Sequence, residues 1–185
     1  MSVFITSDLH FCHDRPFLYE PRGFKSISEM NAAIVRNWNE IVQPDDTVYV
    51  LGDLMLNNNV EGAALFASLK GHLHIILGNH DTDTRIDLYK RCYNVVEIGF
   101  ASRLRVEKYH FFLTHYPTLC GNLDDGKTLG QHVINLCGHT HTKDKFVDWD
   151  KGIIYHCELD AHDNKPVAIE TIIDDLRGKQ SGVPL

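Results

Sequence analysis

The chain has 185 residues, 43% of them hydrophobic and 23% charged, an ordinary globular composition that excludes a disordered tail protein and predicts one domain spanning 1–185. Its formal charge, 18 basic less 25 acidic side chains or −7, argues against a nucleic-acid coat or a polybasic membrane binder but leaves room for a local anion site. The 12 histidines, nearly as many as the 13 glycines, are the compositional anomaly, because histidine is not among the common residues of average proteins.

The start, Met1-Ser2-Val3-Phe4, has no basic region ahead of an apolar core, so no signal peptide is expected. No run reaches the roughly 18 apolar residues of a membrane span. Five cysteines without a C-x-x-C pair fit a reduced, cytosolic chain better than a disulfide framework.

Residues 2–6 are apolar and β-branched and stop at Asp8-Leu9-His10, which predicts a buried strand delivering polar residues at its carboxyl end. A long loop with Pro16, Pro21 and Gly23 follows. Ser26 and Glu29 have capping-box spacing, and Ile27, Met30, Ile34, Trp38 and Ile41 recur at helical period, predicting a helix over 27–42. Strands are expected at 47–51 and 72–77. Helices are expected at 60–70, with Asn59 as cap, and at 83–91. This repeated β-loop-α rhythm predicts an α/β fold with parallel strands. Beyond Cys92 the pattern changes to strands near 95–98, 103–107, 110–114, 133–137, 153–157 and 167–169, which predicts a second, more antiparallel sheet.

Polar residues gather where the apolar strands stop: Asp8 and His10, Asp53, Asn79 and His80, His115, then His139 and His141. In open α/β sheets the carboxyl ends of strands form the binding rim. Imidazole mixed with Asp and Asn oxygens suits Mn, Fe or Zn rather than an all-oxygen Mg or Ca site. Gly52, Gly78 and Gly138 precede these residues, where a backbone without Cβ can turn or approach closely.

The ordered set Asp8-Leu9-His10, Gly52-Asp53, Gly78-Asn79-His80-Asp81, His115 and Gly138-His139-Thr140-His141 resembles the calcineurin-like metallophosphoesterases in their compact bacterial or phage-type form. Each element is common alone; five in this order, each after an apolar strand, are specific. The resemblance implies two mixed β-sheets packed as a sandwich and flanked by helices, in four layers. It also implies two divalent cations, Mn first with Fe or Zn as alternatives. One would be held by Asp8, His10 and His141, the other by Asn79, His115 and His139, with Asp53 bridging. A hydroxide between the cations would attack phosphorus, and His80 would be the non-ligating catalytic histidine serving the leaving group. Asp81 either orients His80 or caps the following helix.

His13, in the first loop, reads as a substrate contact, while His72 and His74 read as polar positions on a half-exposed strand. Residues 121–128, Gly121 to Thr128, match the Walker A spelling. Asp124 and Asp125 would place negative charge where a phosphate must sit, so the match reads as accidental. Protein serine/threonine phosphatases of this superfamily carry V-D-R-G after G-D and the motif G-N-H-E. Leu54-Met55-Leu56 and Gly78-Asn79-His80-Asp81 depart from both, which disfavours a phosphoprotein substrate. The expected function is therefore hydrolysis of a small or nucleotide-like phosphodiester, without extended nucleic acid or membrane as partner. The alternatives are a phosphomonoesterase or a non-catalytic metal-binding scaffold, as in the retromer subunit of this fold.

Overall fold

Strand β1 (Val3–Thr6) alternates between two cores, Phe4 packing into one and Ile5 into the other. The neighbouring strands β2 (Thr47–Val50) and β3 (His72–Ile76) do the same, with Val48, Val50, Leu73 and Ile75 on the side of Phe4 and Ile76 on the side of Ile5. A strand apolar on both faces must be covered on both, which explains the continuous apolar runs in the sequence. The computed structural model describes residues 1–120, 133–146 and 153–180. The Walker-like stretch 121–128 lies outside the described residues.

Helices cover one face of this sheet. Helix α1 (Pro16–Tyr19) is a single turn with proline at its first position, where a missing N–H costs nothing. Helix α2 (Ile27–Ile41) buries Met30, Ile34 and Trp38. Its Ser26 Oγ accepts from Glu29 N at 3.2 Å, and the Glu29 carboxylate takes the Lys25 N–H at 2.7 Å. Helix α3 (Asn59–Ala67) is capped by Asn58 rather than Asn59, and it stops before Lys70. Helix α4 (Asp83–Tyr89) carries the chain across to β4 (Val95–Gly99), which pairs in parallel with β3. Strand β4 therefore closes the first sheet instead of opening the second, because a helical crossover returns the chain in the parallel sense.

The second sheet contains β5 (Ala101–Val106), β6 (Tyr109–Thr114), β7 (Val133–Cys137) and β8 (Ile154–His156) in that order. Only the β5–β6 hairpin is antiparallel; β6–β7 and β7–β8 are parallel. The antiparallel expectation is corrected here: the connections 115–132 and 138–153 are too long for hairpins and long enough for parallel crossovers. Strand β9 (Val167–Ala168) returns antiparallel to β1, so the first sheet reads β4-β3-β2-β1-β9. It runs directly into helix α5 (Ile169–Gln180), which the sequence reading did not anticipate. Ile169, Ile172, Ile173 and Leu176 of α5 join Tyr109, Phe111, Leu113, Ile134 and Leu136 in the core between the sheets. The architecture is two mixed sheets packed together and flanked by helices. Among the described residues no helix is long and apolar enough to cross a membrane.

Candidate metal centre

Every predicted ligand and His80 lie just beyond the carboxyl end of a strand, on one rim. Asp8 and His10 follow β1, Asp53 follows β2, Asn79 and His80 follow β3, His115 follows β6, and His139 and His141 follow β7. Backbone hydrogen bonds lace these loops together: Asp8 N donates to Gly52 O at 3.0 Å, His10 N to Asp53 O at 2.9 Å, and Gly138 N to His115 O at 3.0 Å. Five of the seven ligand candidates, Asp8, His10, Asp53, His139 and His141, have positive φ between 49° and 76°. Left-handed backbone is costly for residues with a Cβ and collects at functional sites.

Two glycines make room. Gly52, at φ +91°, would put a Cβ 2.6 Å from His115 Nδ1, and a Cβ on Gly138 would overlap Ser7 Oγ and Asp8 Oδ2. Any larger residue at either position would displace a ligand candidate.

The donor atoms converge. His10 Nε2 lies 3.1 Å from His141 Nε2. The same nitrogen is 3.6 Å from Asp8 Oδ1 and 3.8 Å from Asp53 Oδ2. His141 Nε2 is 3.6 Å from Asp8 Oδ1, and His115 Nε2 is 3.6 Å from Asp53 Oδ2 and 3.0 Å from Asn79 Oδ1. Atoms gathered around an ion at roughly 2.0–2.2 Å stand about 3–4 Å from one another. Two sets, Asp8/His10/His141 and Asp8/Asp53/His115, keep all their donor atoms within 4.8 Å. The His139 ring stands edge-on to His115 with centroids 5.0 Å apart, and its backbone N–H donates to Asp8 Oδ2 at 2.9 Å.

Whether these residues suit a cation is decided by Asp8. Its Oδ2 accepts from Ser7 Oγ at 2.6 Å and from His139 N, whereas the fully buried Oδ1 has no hydrogen-bond partner among the described residues. A buried carboxylate oxygen left without a donor is costly, and here it faces two imidazole nitrogens. His115 Nδ1 lies 2.7 Å from the Leu51 carbonyl, which only accepts, so Nδ1 holds the proton and Nε2 offers its lone pair to the centre. Burial favours the neutral form of Asp8, but the hydrogen bond and charge of His10, with His141 and His115, hold its carboxyl well below the usual range. Burial pushes His10 down to about 4. At neutral pH Asp8 is a carboxylate beside a neutral His10 imidazole, the protonation states a metal requires; burial works to lower His141, but its hydrogen bond to Asp160 and the charges of Asp8 and Asp160 raise it. Burial, opposed by His115, raises Asp53.

His80 stands at the edge of this set with its side chain 39% exposed and Nε2 3.9 Å from Asp53 Oδ2. Its backbone N–H donates to Asp53 Oδ1 at 2.9 Å, and its carbonyl accepts from Arg85 Nη1. His13 packs against His10, with Nδ1 atoms 3.2 Å apart. Both histidines line a cavity of about 530 Å³, whose walls include His10, Asp53, Asn79, His139 and His141 and the apolar Phe17, Leu18 and Pro21.

Asp81 does neither of the things expected of it. Its Oδ2 accepts from Asp53 N at 2.9 Å and Gly78 N at 2.8 Å, and its Oδ1 accepts from Leu54 N at 3.3 Å and Tyr89 Oη at 2.8 Å. The cap position of α4 belongs to Thr82. Asp81 is thus occupied by the backbone of the two loops that carry Asp53 and Asn79.

Two further residues escaped the sequence reading. Asp160, in a 3-10 turn at Leu159–Ala161, lies 3.1 Å from His141 Nδ1 through Oδ2, and buried Arg22 pairs with it at 2.7 Å. Asp160 follows β8 as the other site residues follow their strands, so the same strand-end rule could have found it; nothing in the sequence marks Arg22. His74, by contrast, pairs with Glu97 at 3.1 Å and stacks on Tyr49, away from the rim. All five cysteines are free.

Comparison with known proteins gives the family and the fold. The chain is 29% identical over 180 residues to the uncharacterized protein MJ1445 of Methanocaldococcus jannaschii, covering 92% of this chain and 89% of that one. It is 28% identical over 169 residues to the gene 66 protein of Mycobacterium phage L5, covering 76% and 78%. The fold is shared with AQ665, a protein of unknown function from Aquifex aeolicus, at TM-score 0.72 and 22% identity over 95% of this chain and 98% of that one. Residues 1–156 match the calcineurin-like phosphoesterase superfamily domain, a span that holds every ligand candidate, and the chain belongs to that superfamily.

Proposed function

We propose that the chain is a two-cation phosphodiesterase acting on small, nucleotide-like phosphate esters. Asp8, His10 and His141 would hold one ion and Asn79, His115 and His139 the other, with Asp53 between them, Mn being the first choice and Fe or Zn the alternatives. When bound, two such cations polarise phosphoryl oxygens and acidify water to a nucleophile near neutral pH. The observation that carries the reading is the buried, unpartnered Asp8 Oδ1 at the focus of His10 and His141.

The chain's own residues do the rest. His80, partly exposed and tethered through its backbone to Asp53, would hand a proton to the departing oxygen. His13 lines the same cavity and is suited to contact a phosphate oxygen. A monoester carries one organic group, a diester two. The apolar Phe17, Leu18 and Pro21 in the wall of the same cavity offer that second group a surface, which favours the diester. The −7 charge opposes long nucleic acid as partner, and free cysteines fit the reducing cytoplasm.

The test is turnover of bis(p-nitrophenyl) phosphate and p-nitrophenyl phosphate by Mn-loaded protein. Diester turnover should dominate, and His80→Ala should lower kcat by roughly 100-fold or more with cation binding intact. No metal-dependent turnover of either ester would sink the reading; preference for the monoester would overturn its diester half.

A further inference from the structure

Three residues far apart in sequence meet behind the rim. The Arg22 guanidinium donates from Nε to Asp160 Oδ1 at 3.0 Å and from Nη2 to Asp160 Oδ2 at 2.7 Å and to the Asp8 carbonyl at 2.9 Å. Nη2 also lies 3.3 Å from His141 Nδ1, and that nitrogen is 3.1 Å from Asp160 Oδ2. Arg22 has a fully buried side chain and Asp160 is 6% exposed.

Counting donors fixes the histidine. A guanidinium Nη carries two hydrogens, and those of Nη2 are taken by Asp8 O and Asp160 Oδ2. None is left for His141 Nδ1, so Nδ1 must itself carry a proton and donate it to Asp160 Oδ2. In the neutral ring Nε2 is then a bare lone pair, and it is the atom that lies 3.6 Å from the unpartnered Asp8 Oδ1. One guanidinium thereby holds two ligand candidates in a single geometry, Asp8 through its backbone and His141 through Asp160.

We propose that Arg22 and Asp160 are positioning residues for the candidate metal centre: Asp160 sets the tautomer and aim of His141, and Arg22 locks Asp160 to the Asp8 loop. The proposal rests on the metal-centre reading, and it adds a residue beyond position 156, where the superfamily match ends. Carboxylate partners of ligating histidines commonly matter to cation affinity by roughly 10–100-fold.

The experiment uses the full chain. In the metal-free protein, at a pH high enough for the His141 ring to be neutral, nitrogen NMR of the ring should find the proton on Nδ1; a neutral ring protonated at Nε2 alone overturns the proposal and needs no variant. Calorimetric Mn titration should show roughly 10–100-fold weaker binding of one ion in Asp160→Asn and Arg22→Lys, with the other ion little changed. Partial recovery is expected in Asp160→Glu. Variants that lose thermal stability but keep wild-type Mn affinity would assign the pair a purely structural role and refute the proposal. A wild-type chain that binds no Mn fails the metal-centre reading instead, and the NMR result then decides the tautomer by itself.

Discussion

Replacing Asp81 by asparagine tests what holds the two central loops together. The carboxylate accepts from Gly78 N, Asp53 N, Leu54 N and Tyr89 Oη, and the residue is 8% exposed. In asparagine one oxygen becomes an NH2, which donates. Placed at Oδ2, it would face the N–H groups of Asp53 and Gly78 and lose both bonds. Placed at Oδ1, it would face Leu54 N and the Tyr89 hydroxyl, which can turn and accept. The second arrangement is cheaper: it loses the 3.3 Å bond from Leu54 N and the ionic strength of the rest. Hydrogen bonds to charged groups contribute about 1.5–3 kcal/mol each against about 1 for neutral ones, so the substitution should cost about 3 kcal/mol. For a chain of this size that is a fall in Tm of about 6–12 °C, read by thermal or urea unfolding of the metal-free protein. Tyr89→Phe removes one donor of the four to this carboxylate and should cost about 1.5–3 kcal/mol. An Asp81→Asn protein melting within about 2 °C of wild type would refute the claim that this carboxylate joins the loops.

Other consequences are read more simply. Phe17 is 71% exposed in the cavity wall, so Phe17→Ala should leave stability unchanged while raising KM for an aryl diester by roughly 2- to 12-fold, from the loss of about 0.5–1.5 kcal/mol of ring packing; an unchanged KM removes Phe17 from the substrate surface. Gly138→Ala would drive a methyl group into Ser7 Oγ and Asp8 Oδ2, costing about 1–3 kcal/mol and weakening Mn binding in calorimetry, and wild-type behaviour in both would contradict the close approach. Hydrogen bonds from Ser2 N at 2.7 Å and Gln43 N at 2.9 Å lower the Asp46 pKa, so its contribution is present above the unfolded value of 3.8 and lost as pH falls through the folded one. Urea unfolding across that range should show Asp46→Asn about 2 kcal/mol less stable than wild type near neutrality, with the gap closing in acid; a gap constant with pH would exclude the ionic contribution.

The parts of the site legible in the sequence are those set by local rules. Polar residues after apolar strands located Asp8, His10, Asp53, Asn79, His115, His139 and His141, because parallel strands all deliver their carboxyl ends to one rim. Ser26 and Glu29 marked the start of α2 for the same local reason. What could not be read depends on contacts between distant segments. Arg22 looks like any arginine in a loop until folding sets it beside Asp160, 138 residues away. Asp81 carries an ordinary cap signature, and its carboxylate is claimed instead by the backbone of residues 53 and 54. The sequence of β4 says nothing of its partner, so its pattern alone does not put it in the first sheet, and α5 follows β9 without a turn signal to mark its start.

These tertiary carboxylates change the electrostatic argument. Counting only Asp8 and Asp53, two divalent cations bring the centre from −2 to +2. Asp81 and Asp160 also touch the ligand residues or their backbone, and Arg22 returns one positive charge. The formal charge of the carboxylates and Arg22 is then −3 without cations and +1 with them. A buried surplus of three negative charges is a strong reason for the site to bind cations. With both cations and the nucleophilic hydroxide in place the balance would be about zero, so a phosphate ester would be drawn by the cations themselves and not by a net positive pocket.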